Sequence, residues 1–63
     1  MNQKYLVVIR WGSGLTYAYP FYKEENAIEC FQNIGSATCS FLYDKDMYGL
    51  YRLIGFNNRE VRS

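Results

Sequence analysis

One stretch of helical periodicity, KEENAIECFQNIG at Lys23–Gly35, divides the chain into two parts of similar length. Apolar side chains recur in it at spacings of three and four residues, which is the period of one face of an α-helix. This stripe consists of Ala27, Ile28, Phe31 and Ile34, with Cys30 at its margin. Glu24 and Glu25 fall in the first turn, where carboxylates interact favourably with the positive end of the helix dipole. Gly35 suits the position after the last turn. The sequence therefore predicts a single helix.

Two pairs of strand-like segments flank the predicted helix, and both are rich in aromatic and branched apolar residues. They are Lys4–Trp11 and Leu15–Phe21 before the helix, and Ala37–Tyr43 and Tyr48–Phe56 after it. Gly12–Gly14 has glycine at both ends, which predicts a tight turn in the first pair. The polar segment Asp44–Met47 predicts a turn in the second pair. We therefore expect one antiparallel hairpin on each side of the helix.

The order β-β-α-β-β predicts an α+β fold, with a four-stranded antiparallel sheet and one helix packed on one of its faces. Placing the third strand beside the first gives the strand order 2-1-3-4 and a wholly antiparallel sheet. The order 2-1-4-3 would make the first and fourth strands parallel neighbours. Pro20 lacks the N–H group that a central strand needs, so the second strand should lie at an edge. Both orders satisfy that condition, and both stay open at this point.

One helix is too small to cover such a sheet. A sheet of four strands is about 19 Å wide and roughly 20–25 Å long. A helix of about eleven residues is only roughly 16 Å long and 10 Å across. Apolar residues nevertheless alternate onto both faces. In the first strand, Tyr5, Val7, Ile9 and Trp11 alternate with Leu6, Val8 and Arg10; in the fourth, Tyr48, Leu50, Arg52, Ile54 and Phe56 alternate with Gly49, Tyr51, Leu53 and Gly55. An uncovered apolar face of this size is typical of an interface.

Composition narrows the class of protein. Aromatic residues make up 19% of the 63 residues, which favours a folded domain over a disordered chain. We expect one domain over residues 1–63, with 57–63 as a flexible tail because that segment has no periodicity. The formal net charge of +1 argues against a strongly basic nucleic-acid or membrane binder. The short apolar run at the N-terminus is interrupted by Arg10 and resembles neither a membrane span nor a secretion signal, so we expect a cytoplasmic protein.

The chain carries little of the chemistry that catalysis or metal binding requires. It has no histidine and no phosphate-binding glycine loop, and its two cysteines do not form a C-x-x-C pair. Asp44 and Asp46 lack the glycine and the distant glutamate of a calcium loop, and we interpret them as turn residues. Cys30 and Cys39 are compatible with one disulfide or with two reduced, buried thiols. We therefore predict no enzymatic activity, no cofactor and no metal.

The aromatic surface instead favours protein–protein interaction, because tyrosine, tryptophan and arginine are enriched at interface hot spots. We predict a small inhibitor or adaptor that binds a larger protein through a sheet face or an edge strand and that also self-associates as a homodimer or larger oligomer. The predicted protein-binding residues are Trp11, Tyr17, Tyr19, Tyr48, Tyr51 and Arg52.

The alternative is a protein that binds single-stranded nucleic acid by stacking bases on sheet aromatics beside basic side chains. Its candidate residues are Trp11, Tyr17, Tyr19, Tyr51, Arg10, Arg52, Arg59 and Arg62. The nearly balanced charge and the absence of an RNP-type motif count against it.

Overall fold

The computed structural model describes residues 4–35 and 37–58. Its elements are β1 (Tyr5–Arg10), β2 (Thr16–Phe21), α1 (Glu24–Gln32), β3 (Cys39–Lys45) and β4 (Tyr51–Asn58). The strands form one sheet in the order β2-β1-β3-β4, and every neighbouring pair is antiparallel. The predicted α+β fold is confirmed, and the strand order is 2-1-3-4 rather than 2-1-4-3.

The first hairpin follows the sequence closely. Leu6 faces Pro20 in the β1–β2 register, and β2 is an edge strand, as the missing N–H group of the proline requires. The Trp11 amide donates to the carbonyl of Leu15 at 2.8 Å and closes the loop. Gly14 has a φ of 98°, a conformation that glycine adopts without steric cost. The predicted turn at Gly12–Gly14 is therefore present.

The helix ends at Gln32, earlier than predicted, because Gly35 was expected to follow directly after its last turn. Asn33 is its C-cap and leaves the helical conformation, with φ −102° and ψ 67°. Its backbone N–H makes the last helical bond, to the carbonyl of Glu29 at 3.0 Å, and its side-chain Nδ2 donates to the same carbonyl at 2.9 Å. Short polar side chains compete with the helix for backbone hydrogen bonds in this way. Ile34 was predicted to belong to the apolar stripe of the helix. Its side chain is buried as expected, but the residue lies in the loop that follows α1.

The core lies between α1 and one face of the sheet. It consists of Val7, Ile9, Ala27, Ile34, Ala37 and Leu42. The fully buried Ser40 joins the two layers, because its hydroxyl donates to the carbonyl of Phe31 at 2.8 Å. A Cβ atom built on Gly55 would lie 3.1 Å from Phe31 Cζ, so the ring packs directly on the backbone of β4. Because Gly55 has no side chain, the Phe31 ring of α1 can pack on β4 at this position.

The second hairpin turns later than predicted. Its strands end at Lys45 and resume at Tyr51, so the turn begins two residues later and ends three residues later than the predicted Asp44–Met47. The Asp46 carboxylate Oδ1 accepts hydrogen bonds from the amides of Tyr48 and Leu50, both at 2.9 Å. These bonds place the reversal after Asp46. The fourth strand also continues through Asn58, into the segment predicted as a tail, whereas residues 59–63 lie outside the described part of the chain.

Candidate functional site

The sheet face opposite α1, here called the open face, is built by strict alternation along β1 and β3. Val7 and Ile9 point into the core, so Leu6, Val8 and Arg10 lie on the open face. Their partners across the β1–β3 ladder are, in the same order, Tyr43, Phe41 and Cys39. Two central strands therefore present aliphatic and aromatic side chains away from the helix.

A bulge places β4 residues on the same face. Leu42 pairs with Gly55 but Tyr43 pairs with Leu53, so Ile54 is an extra residue in β4. Phe56 faces Phe41 and Leu53 faces Tyr43, which puts both on the open face. The alternation predicted for the fourth strand, which grouped Arg52 with Phe56 and separated both from Leu53, is therefore wrong, because the extra residue reverses the parity partway along the strand.

The open face is apolar and half exposed. Phe41 and Phe56 stack with ring centroids 5.0 Å apart, and Tyr43 meets Tyr51 edge-on at 6.5 Å. The exposed fraction is 43% for Tyr51, 51% for Leu53, 45% for Ile54 and 54% for Phe56. In the described ranges no helix covers this face, because α1 packs on the other one against β1, β2 and β3. The uncovered apolar face expected from the sequence is therefore present in the fold.

The charges on the open face are basic and lie at its two ends. Arg10 ends β1, whereas Lys45 ends β3 and places its Nζ 5.3 Å from the centroid of the Tyr51 ring. No aspartate or glutamate occupies a described open-face position, since Asp44 and Arg52 form a pair on the helix-bearing side. Arg52 Nη2 lies 3.0 Å from Asp44 Oδ2, and this hydrogen bond holds the pKa of the Asp44 carboxyl below its usual value.

An open concavity of about 310 Å³ lies at the Arg10 end of the face. Its lining residues are Arg10, Trp11, Gly12, Thr38, Cys39, Phe41, Phe56 and Asn58. In the described ranges no carboxylate lies within ion-pair distance of Arg10. The concavity therefore combines three aromatic residues with an arginine that forms no ion pair to a described carboxylate.

The six residues predicted to bind protein do not share one surface. Trp11, Tyr17 and Tyr19 form a row on the helix-bearing side, with ring centroids 5.6 and 6.4 Å apart along the row. Tyr48 lies in the β3–β4 turn and is 81% exposed. Tyr51 is on the open face, and Arg52 is on the opposite side, as their adjacent positions require.

Sequence reasoning missed most of the open face as a site. Leu6, Val8, Phe41, Tyr43, Leu53 and Phe56 were not among the predicted contact residues. Alternation along β1 and β3 was the available signal for the first four. Leu53 and Phe56 could not be grouped with them without knowledge of the bulge. The nucleic-acid candidates divide in the same way, since Arg10 and Tyr51 lie on the open face and the row from Trp11 to Tyr19 does not. Arg59 and Arg62 lie outside the described residues.

The remaining reactive groups do not form a site. Cys30 and Cys39 are both free thiols, on the helix and in β3, and burial raises the pKa of Cys30 above its ordinary value. Within residues 4–35 and 37–58, no cluster of three or more metal-ligating side chains occurs. No helix in these ranges is long and apolar enough to cross a membrane.

Comparison of the chain with protein-family models, with curated proteins and with solved structures found no match.

Proposed function

We propose that the chain is a non-enzymatic protein-interaction domain that binds its partner through the open face. The observation that carries this proposal is the half exposure of Tyr51, Leu53 and Phe56 on one face of β4, beside the apolar residues of β1 and β3. Full burial of such a side chain contributes about 1.5–3 kcal/mol relative to full exposure, and because these side chains are already half buried, a covering partner would add roughly half of that for each. A partner that covers the open face would bury apolar area there, as α1 buries apolar area on the opposite face.

The size of the face supports the same function. The strand spacing and length give a footprint of roughly 400 Å² for a sheet of this width. The largest apolar patch on a typical monomer is about 300–600 Å² and is often functional. A standard interface buries about 800 Å² on each partner. The open face therefore supplies the apolar centre of an interface, and the surrounding strand edges and turns supply its rim.

The two unbridged cysteines fit a reducing compartment, and we propose a cytoplasmic location on that ground. An inhibitor and an adaptor can both be binding domains without a catalytic group. They differ in whether the bound partner loses its activity or gains a second ligand. An activity assay on the partner distinguishes them once the partner is known.

A matched pair of substitutions tests the proposed face. Phe56→Ser removes a 54% exposed ring from the open face, and Tyr17→Ser removes a 51% exposed ring from the helix-bearing side. Phe56 stacks on one aromatic ring, Phe41, whereas Tyr17 lies between the rings of Trp11 and Tyr19. The two variants are therefore matched in exposure, Tyr17→Ser loses one more ring contact, and they differ in the face they alter.

The wild-type chain and both variants serve as baits in cells that express the protein, and each captured protein is then purified and titrated directly. We expect Phe56→Ser to weaken the complex about thirtyfold, the loss typical of a hot-spot residue, and Tyr17→Ser to leave it nearly unchanged. A partner that depends on Tyr17 and not on Phe56 would place the interface on the helix-bearing side and contradict the proposal.

Single-stranded nucleic acid is the second candidate, because the open face combines aromatic rings with basic side chains and carries no described carboxylate. Aliphatic side chains occupy much of the same face, and the basic residues described on it, Arg10 and Lys45, lie at its two ends. Binding of an oligothymidylate that weakens steeply with salt would support this candidate over a protein partner.

A further inference from the structure

The charge pattern of the open face indicates which kind of protein it accepts, and this step rests on the proposed function. Arg10 and Lys45 lie at opposite ends of the face. Two described aspartates near the face are engaged elsewhere: Asp44 pairs with Arg52 on the other side, and Asp46 accepts the amide hydrogens of its own turn. Within residues 4–35 and 37–58, the apolar centre is thus framed by basic side chains and by no carboxylate.

This pattern disfavours a second copy of the chain as the occupant. A two-fold symmetric dimer apposes the same patch on both subunits. Two aligned sheets packed face to face run with their strands either roughly parallel or roughly antiparallel. The parallel arrangement brings the Arg10 ends together, and the antiparallel arrangement brings each Arg10 end to a Lys45 end. Both arrangements oppose like charges, which costs affinity at an interface.

We propose that the open face binds a segment of a different protein in which apolar side chains are flanked by aspartate or glutamate. One of these carboxylates pairs with Arg10 in the concavity at the end of β1. The apolar side chains lie on Phe41, Phe56 and the aliphatic residues beside them. A second carboxylate meets Lys45 at the other end of the face.

The concavity suits the carboxylate in two ways. The guanidinium of Arg10 presents donors in a planar fork that matches a carboxylate, and in the described ranges no ion pair occupies it. The rings of Phe41 and Phe56 form part of the same lining, so an apolar neighbour on the bound segment is accommodated beside the charge. A volume of about 310 Å³ is at the lower end of the range for sites that hold small groups.

Two observations favour an acidic protein segment over a nucleic-acid strand. A strand of nucleic acid carries a phosphate at every nucleotide, whereas the described cations of the face, Arg10 and Lys45, lie at its two ends, beyond an apolar centre. The aromatic rings also contact one another, Phe41 with Phe56 and Tyr43 with Tyr51, instead of standing apart as platforms for separate bases. Charge at both ends and apolar area between them fit a protein segment of the same pattern.

Three acetylated and amidated peptides test this inference on the whole chain. Each contains the sequence Trp-Leu-Phe, flanked on both sides by glutamate in the first, glutamine in the second and lysine in the third. Binding is followed by NMR chemical shifts of the Arg10 Nε–H group and the Phe56 ring, at low and at moderate salt. We expect the glutamate peptide to bind about tenfold more tightly than the lysine peptide at low salt, and the difference to shrink as salt rises.

Arg10→Gln and Arg52→Gln form the matched control pair, because each removes one positive charge and only Arg10 belongs to the open face. We expect Arg10→Gln to abolish most of the preference for glutamate, and Arg52→Gln to keep it. Equal binding of all three peptides, with loss in Phe56→Ser, would overturn the acidic preference and leave the proposed function standing. Shifts confined to the helix-bearing side would overturn both. Tighter binding of an oligothymidylate than of the glutamate peptide would replace the protein segment with nucleic acid.

Discussion

At the scale of single residues, Ser40 shows how one polar side chain connects the helix to the sheet. It is fully buried in β3, and its hydroxyl donates to the carbonyl of Phe31 in the last turn of α1. Carbonyls in the last turn of a helix have no partner within the helix and need one elsewhere. Asn57 Nδ2 donates to the same oxygen at a longer 3.4 Å. The helix end is therefore tied to two strands at once.

Ser40→Ala should lower the free energy of unfolding by about 1 kcal/mol, because the Phe31 carbonyl keeps only the longer bond from Asn57. In a domain of this size, that change corresponds to a decrease in Tm of roughly 4–8 °C. Thermal unfolding followed by circular dichroism measures it. The control is Ser13→Ala in the exposed first turn, which should stay within about 0.5 kcal/mol of the wild type. Equal stability of the two variants would mean that the Ser40 hydroxyl does not stabilise the fold.

The residues of the open face differ in how far the sequence could reveal them. Alternation along β1 separates Leu6 and Val8 from Val7 and Ile9 without any knowledge of the fold. Which set the helix covers was not decided by the sequence, because both sets are apolar. The row from Trp11 to Tyr19 was therefore an equally reasonable choice for a binding surface. Its side chains lie on the helix-bearing side, where α1 covers only part of the sheet.

At the scale of secondary-structure elements, the β3–β4 turn is ordered by one carboxylate. Asp46 Oδ1 accepts from two amides, and the backbone of Asp46 exchanges further hydrogen bonds with Gly49 and Leu50. Gly49 has a φ of 84°, which completes the reversal. The exposed side chains of Met47, Tyr48 and Leu50 are carried on this ordered backbone.

Asp46→Ala should destabilise the hairpin by about 1–2 kcal/mol, since two amides lose their acceptor. Asp46→Asn keeps an oxygen at the same place and should lose clearly less. Hydrogen exchange at the Tyr48 and Leu50 amides reports the change locally, and we expect it to accelerate in the alanine variant only. If exchange at these amides were the same in the alanine and asparagine variants, the side chain of Asp46 would not be what orders the turn.

The elements themselves were largely predictable, and their ends and register were not. Glycine and proline punctuate the first hairpin, so its turn and edge position follow from local chemistry. In the second hairpin the polar segment Asp44–Met47 marks a turn only approximately, because Asp44 remains in β3 opposite Arg52. The bulge at Ile54 depends on how β4 pairs with β3. Gly55 beside it was the only local sign, since an isolated glycine within a strand often accompanies a bulge.

At the scale of the whole molecule, one helix and a four-stranded sheet leave two surfaces of different character. The helix-bearing side holds the buried core and, beyond the helix, the aromatic row from Trp11 to Tyr19. The open face holds apolar side chains without a covering element in the described ranges, and its cations lie at the ends. The sequence predicts self-association from the uncovered aromatic face of the sheet. Because the two surfaces are separate, a substitution on one of them shows whether an oligomer forms through that surface.

Light scattering across a dilution series answers this question for the wild type and the Phe56→Ser variant. Because like charges would meet in a symmetric pairing of open faces, we expect the two proteins to have the same mass at every concentration. An oligomer present in both would be formed through the strand edges or the helix-bearing side, and the open face would stay available to an acidic partner. A wild-type dimer that becomes a monomer in Phe56→Ser would instead show that two open faces cover each other. The apolar area would then outweigh the charge repulsion, and the acidic segment would lose its place on this face.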